Sequence, residues 1–168
     1  GLLPVQAPIT SHPGERHPDL YAAVINQFGV QGNPRYAPDG HVYSAAFAGD
    51  VARAMGVPLP TFPEIAEQSM GGVSALYQWF VDCSTQQAWR PLDPGTPEGL
   101  QALQEHVNAG RPAFVVDASH IAVVRPRQNA GHRTELRLAL AGALQANNVT
   151  LGDAGFDAPL EPLFFVHD

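Results

Sequence analysis

Helical periodicity runs through this sequence as far as Gly110 and strand patterning takes over after Arg111, which predicts an α+β fold of N-terminal helices packed on a C-terminal antiparallel sheet. Three observations carry that prediction. Before Gly110 the apolar residues recur three and four positions apart. After Arg111 they fall in short runs bounded by turn residues. The connections between those runs are short, as hairpins require and parallel crossovers do not allow.

Residues 1–18 hold four prolines and no sustained period, so they read as an extended arm, with residues 19–168 as one domain. Pro18 suits a first helical turn. Tyr21, Val24, Ile25 and Phe28 then form one stripe and Gly29 stops it, giving a first helix from about Pro18 to Phe28. The stretch Asn33-Pro34-Arg35-Tyr36-Ala37-Pro38-Asp39-Gly40 is dense in turn residues. A second helix, Tyr43 to Met55, places Ser44, Phe47, Ala48, Val51 and Met55 on one face, and Gly56 with Pro58 ends it. Thr61-Phe62-Pro63-Glu64 has capping-box spacing and opens a short third helix. Val73, Leu76, Tyr77, Phe80 and Cys83 mark a fourth, from Gly72 to about Gln86. Thr96-Pro97-Glu98 opens a fifth, which buries Leu100, Leu103 and Val107 and stops at Gly110. The strands are Ala113–Val116, Ile121–Val124, Leu136–Leu140 and Leu163–Val166.

Composition narrows the function classes. The chain is 45% hydrophobic, which excludes intrinsic disorder, and only 15% charged. All nine basic residues are arginine, and with sixteen acidic residues the net charge is −7. Nucleic acid is therefore not an expected partner, since a phosphate backbone is bound by clustered positive charge. No apolar run approaches the roughly 20 residues that span a bilayer. The single cysteine excludes an internal disulfide framework and a multi-cysteine zinc site. No charged-then-apolar leader opens the sequence. Gly1-Leu2-Leu3-Pro4 fits a tag-cleavage scar on a chain whose leader has been removed, which would make the protein secreted.

Three sets of residues carry candidate chemistry. Ser44 starts a helix and His120 opens a strand; a hydroxyl at a positive helix end with an imidazole in reach is a nucleophile–base pair. The plainer role for Ser44 is an N-cap. Cys83 is a nucleophile candidate by type, yet it lies on the Leu76–Phe80 stripe, where a thiol packs as a small hydrophobe of low reactivity. Asp117 and His120 bracket a tight turn and His132 follows one hairpin later, but their spacing matches no ligand motif, so neither a metal nor another cofactor is expected.

Several segments stand in a telling order: Asn33-Pro34-Arg35-Tyr36-Ala37-Pro38, then Tyr43-Ser44-Ala45-Ala46-Phe47-Ala48-Gly49-Asp50-Val51-Ala52-Arg53-Ala54-Met55-Gly56, then Ala75-Leu76-Tyr77-Gln78-Trp79-Phe80. Ala88-Trp89-Arg90-Pro91-Leu92, Asn108-Ala109-Gly110-Arg111-Pro112 and His120-Ile121-Ala122-Val123-Val124-Arg125-Pro126 follow. From about residue 19 to 156 the sequence resembles the papain-like cell-wall hydrolases of the NlpC/P60 and CHAP type. The resemblance implies a papain-like fold, peptidoglycan amidase or endopeptidase activity, and a secreted or cell-envelope location. It also implies a cysteine opening the central helix, a histidine opening a core strand, and a polar third residue on the next strand. His120 holds the histidine position. Ser44 stands at the cysteine position, and Leu140 at the third. A cysteine works there because the histidine lowers its pKa and the thiolate attacks. A serine hydroxyl stays protonated and needs an imidazole held in the right tautomer, which Leu140 cannot provide. The expected function is thus a cell-wall amidase/endopeptidase-like domain with Ser44 and His120 weak or vestigial, still binding a cell-wall peptide. An active Ser-His amide or ester hydrolase and a structural or partner-binding domain on the same scaffold are the alternatives.

Overall fold

The computed structural model describes residues 5–40, 42–60, 69–156 and 161–168. The architecture is α+β, with four α-helices and a six-stranded antiparallel sheet among the described residues.

Residues 5–17 form no regular element, yet they are docked on the domain. Gln27 serves Ile9 as a strand neighbour would, accepting from its N–H at 3.0 Å and donating to its carbonyl at 2.7 Å. The Ser11 N–H donates to the Ala54 carbonyl at 2.9 Å, and Ser11 is buried. Helix α1, Pro18–Asn26, starts with Pro18 in its first turn and with His17 as the cap, whose Nδ1 accepts from the Asp19 N–H. It ends two residues before Phe28, and Gly29 at φ +50° follows. Helix α2, Ser44–Ala54, is buried on nearly every side, as a helix enclosed by other elements must be. Residues 61–64, and with them the expected third helix, lie outside the described residues. Helix α3, Ser69–Cys83, buries Val73, Leu76 and Phe80 and passes into a 3-10 turn over Ser84–Gln87. The helix thus ends at Cys83, short of the expected end near Gln86; the Cys83 side chain is outside the described set. Helix α4, Pro97–Asn108, is capped by Thr96, whose hydroxyl accepts from the Gly99 N–H at 3.0 Å. Gly110 follows at φ +85°, and a Cβ there would stand 2.3 Å from the His17 backbone, so only glycine fits between α4 and the start of α1.

The strands are β1 Arg90–Leu92, β2 Ala113–Val116, β3 Ile121–Val124, β4 Arg137–Ala141, β5 Gln145–Thr150 and β6 Leu163–Val166, in the spatial order β1-β6-β2-β3-β4-β5. Every neighbouring pair is antiparallel. Two strands were not foreseen from patterning, and one modifies the expected order of helices before strands. β1 lies between α3 and α4 in the chain and pairs with β6 at one edge, and β5 pairs with β4 at the other. β2 and β3 are buried at every residue. Since alternate side chains point to opposite faces, both faces of the sheet centre are covered. α2 packs on β3 and β4, and α4 on β1 and β2. Tyr21 joins α1 to this centre: its buried hydroxyl donates to the Val124 carbonyl at 2.6 Å and accepts from the Ala113 N–H at 3.3 Å. Burial pushes its pKa up.

Candidate functional site

The start of α2 is fixed by a buried carboxylate one and a half turns into the helix. Asp50 accepts from Arg35 Nε at 2.9 Å and Arg35 Nη2 at 3.1 Å, the two-pronged geometry of a guanidinium on a carboxylate. The Tyr36 hydroxyl donates to the same carboxylate, and Arg53 approaches it at 3.5 Å. Burial, then the negative charge of Asp50, pushes the Tyr36 phenol up. Arg35 and Tyr36 belong to a short 3-10 turn, Pro34–Tyr36, capped by Asn33. Tyr36 and Phe28 both set their rings edge-on against Phe47 of α2, at 5.3 and 6.1 Å between centroids. The turn-rich segment before α2 is thus clamped to it by charge and by aromatic packing. Sequence reading assigned these residues no such role, although Arg35 and Asp50 are opposite charges flanking the helix start.

Ser44 is the first residue of α2, and the cap is Tyr43. The N-cap role considered for Ser44 therefore does not apply. Ser44 is 0% exposed, and its hydroxyl makes no hydrogen bond among the described residues. In particular, no hydrogen bond joins Ser44 to His120.

His120 immediately precedes β3, at the end of a turn that Asp117 organises. The Asp117 N–H donates to the His120 carbonyl at 2.9 Å, and Asp117 Oδ1 accepts from the N–H groups of Ser119 at 2.8 Å and His120 at 2.7 Å. Ser74 of α3 donates its hydroxyl to the Ala118 carbonyl and ties the turn to that helix. The same Asp117 Oδ1 lies 3.5 Å from His120 Nδ1, within ion-pair distance but long for a hydrogen bond. Burial alone would raise the Asp117 carboxyl; the His120 ring and the two turn N–H groups outweigh it and hold the group below the usual carboxylate range. The His120 ring rests against Phe156, 5.5 Å between centroids.

Leu140 is buried on β4, beside an irregularity in the β4–β5 register between Leu138 and Leu140. A Cβ built on Gly142 would lie 3.5 Å from Leu140 Cδ1 and 3.8 Å from His120 Cδ2. Leu140 and the imidazole thus both border Gly142, and the side chain at the β4 position is apolar.

The remaining candidates stand elsewhere or play local parts. His132 caps a 3-10 turn, Arg133–Glu135, by accepting from the Thr134 N–H. Among the described residues no three histidine, cysteine, aspartate or glutamate side chains group to hold a metal ion, and no helix is long and apolar enough to cross a membrane. Surface cavities of about 450 Å³ lie along α4 and along the β1–β6 edge, and neither is lined by Ser44 or His120. No family model matches this chain, and neither a curated protein nor a solved structure matches it.

Proposed function

We propose that this chain is a catalytically degenerate relative of the papain-like cell-wall hydrolases, a secreted or cell-envelope domain that binds cell-wall peptides without cleaving them. The observation that carries this reading is the Ser44 hydroxyl, wholly buried and without a hydrogen bond to His120. A serine acts as a nucleophile when a base within hydrogen-bond reach takes its proton and the substrate carbonyl can approach its oxygen. Ser44 offers neither condition. The arrangement of the elements supports the relationship: Ser44 opens a helix packed on the strand that His120 precedes.

The test is incubation of the purified chain with peptidoglycan, following release of new amino or carboxyl termini, beside co-sedimentation with the insoluble polymer. We expect retention on the polymer and no release above a His120→Ala control. Turnover that disappears in both Ser44→Ala and His120→Ala would replace this reading with an active Ser-His hydrolase. One observation favours that second reading, the Asp117 carboxylate beside the imidazole. Absence of both release and retention would leave a structural or partner-binding domain.

A further inference from the structure

We infer that Asp117 is the positioning residue of His120, holding the imidazole in its Nδ1–H tautomer so that Nε2 is left as the ring's exposed lone pair. The role that the family resemblance gives to a side chain on β4 would then be filled from the β2–β3 turn.

The carboxylate is fixed in place. Asp117 is buried, and its Oδ1 is anchored by the N–H groups of Ser119 and His120 at 2.8 and 2.7 Å, so it cannot swing away without opening the turn. It faces Nδ1 at 3.5 Å, and Nδ1 is itself buried with no hydrogen-bond partner among the described residues. Two tautomers compete for that contact. With the proton on Nε2, the Nδ1 lone pair would point at a carboxylate oxygen across a dry gap, which is repulsive. With the proton on Nδ1, a small closing movement makes a charge-assisted hydrogen bond and satisfies an otherwise orphaned buried atom. The second arrangement is favoured.

The exposure of the ring completes the assignment. The His120 side chain is 32% exposed although Nδ1 is buried, and Cδ2 lies on the side of Gly142. The Cε1–Nε2 edge is what remains to meet solvent. With the ring neutral, a ligand arriving there meets an acceptor and is held by an N–H or O–H donor, such as a peptide amide or an ammonium group. The tautomer belongs to the free protein and does not depend on the cell-wall reading, so either inference can fail alone.

Long-range 15N–1H correlation spectra of histidine-labelled protein, recorded above the imidazole titration range and assigned with His120→Gln, report the tautomer directly. We expect a protonated, pyrrole-type Nδ1 and an unprotonated, pyridine-type Nε2 for His120. Asp117→Asn retains an oxygen acceptor for the turn but removes the charge, and should lower the Nδ1–H population. Asp117→Ser keeps a turn-capping oxygen and withdraws it from the ring, and should lower that population further. A pyridine-type Nδ1 in the wild-type protein overturns the inference, as does an unchanged Nδ1–H signature in both variants. The wild-type spectrum decides by itself should neither variant fold.

Discussion

Ser44→Ala is expected to stabilise this protein. The Ser44 hydroxyl is buried and has no hydrogen-bond partner among the described residues, in the first turn of a helix enclosed on almost all sides. Leaving a buried hydroxyl unpaired costs about 1–3 kcal/mol relative to a state in which water satisfies it. Alanine removes that cost and keeps the Cβ packing. It also has the better intrinsic helix propensity, by roughly 0.5 kcal/mol. Against these stand the dispersion contacts of one oxygen, each worth only about 0.1–0.2 kcal/mol. The balance is a gain of about 1–2 kcal/mol, equivalent to a rise in Tm of about 2–8 °C for a chain of this size. Urea denaturation of both proteins at equal m-value measures it. A destabilisation of about 1 kcal/mol or more would refute the reasoning, because the hydroxyl would then be making a hydrogen bond whose removal is felt. It would also withdraw the main support for a degenerate site.

Two further outcomes follow from buried charge. Asp50→Ala leaves the Arg35 guanidinium and the Tyr36 hydroxyl without their shared acceptor; the loss should be about 3 kcal/mol, the low end for breaking a buried pair since Arg35 keeps some solvent, and equilibrium unfolding reads it. A loss below about 1 kcal/mol would show that the clamp on α2 is replaceable. His106 is buried, and its Nε2 faces the carbonyls of Pro112 and His167 at 3.2 and 2.8 Å; burial lowers its pKa despite those two acceptors. The unfolded chain therefore binds the proton more readily than the native one, so stability is full above the ordinary histidine value of about 6.5 and falls as pH drops below it toward the depressed native value. His106→Gln, which keeps an N–H for the carbonyls, should flatten stability across that window, and an unchanged pH profile would refute the assignment.

The elements legible in the sequence are those whose burial is one-sided or complete. α1 and α4 show stripes because one face meets the core, and both carry proline in the first turn with a side-chain cap before it. β2, β3 and β6 read as apolar runs because their neighbours cover them. The strands that patterning misses lie at the two sheet edges. β1 is three residues long and contains Pro91, which an edge strand tolerates and a central one does not. β5 reads Gln145-Ala146-Asn147-Asn148-Val149-Thr150, with two residues of low strand propensity in the middle. Its conformation comes from pairing with β4 and from Arg125 and Arg137, which donate to the carbonyls and side chains of Asn147 and Asn148. Such support comes from neighbouring strands and leaves no period within β5 itself.

For the candidate site the same division falls between backbone position and side-chain environment. That Ser44 opens a helix and that His120 leads into a strand follow from nearby glycines, prolines and apolar spacing. Whether the Ser44 oxygen finds a partner depends on where the sheet and the helices around α2 place their polar atoms, which no spacing encodes. Asp117 is the instructive exception. An aspartate whose carboxylate accepts the N–H groups two and three residues on lies close to the backbone of the third residue, and in Asp117-Ala118-Ser119-His120 it lies close to the ring as well. Read as part of a metal-ligand set, that closeness was missed, because the carboxylate is already committed to the turn. Leu140 completes the physical argument. A leucine is at ease inside β4, where a polar residue would require a partner of its own, whereas an unpaired serine at the start of α2 is not at ease. Of these two positions Leu140 suits a packed core and Ser44 does not, so packing alone accounts for Leu140 and leaves Ser44 as the position where stability and function must be weighed by experiment.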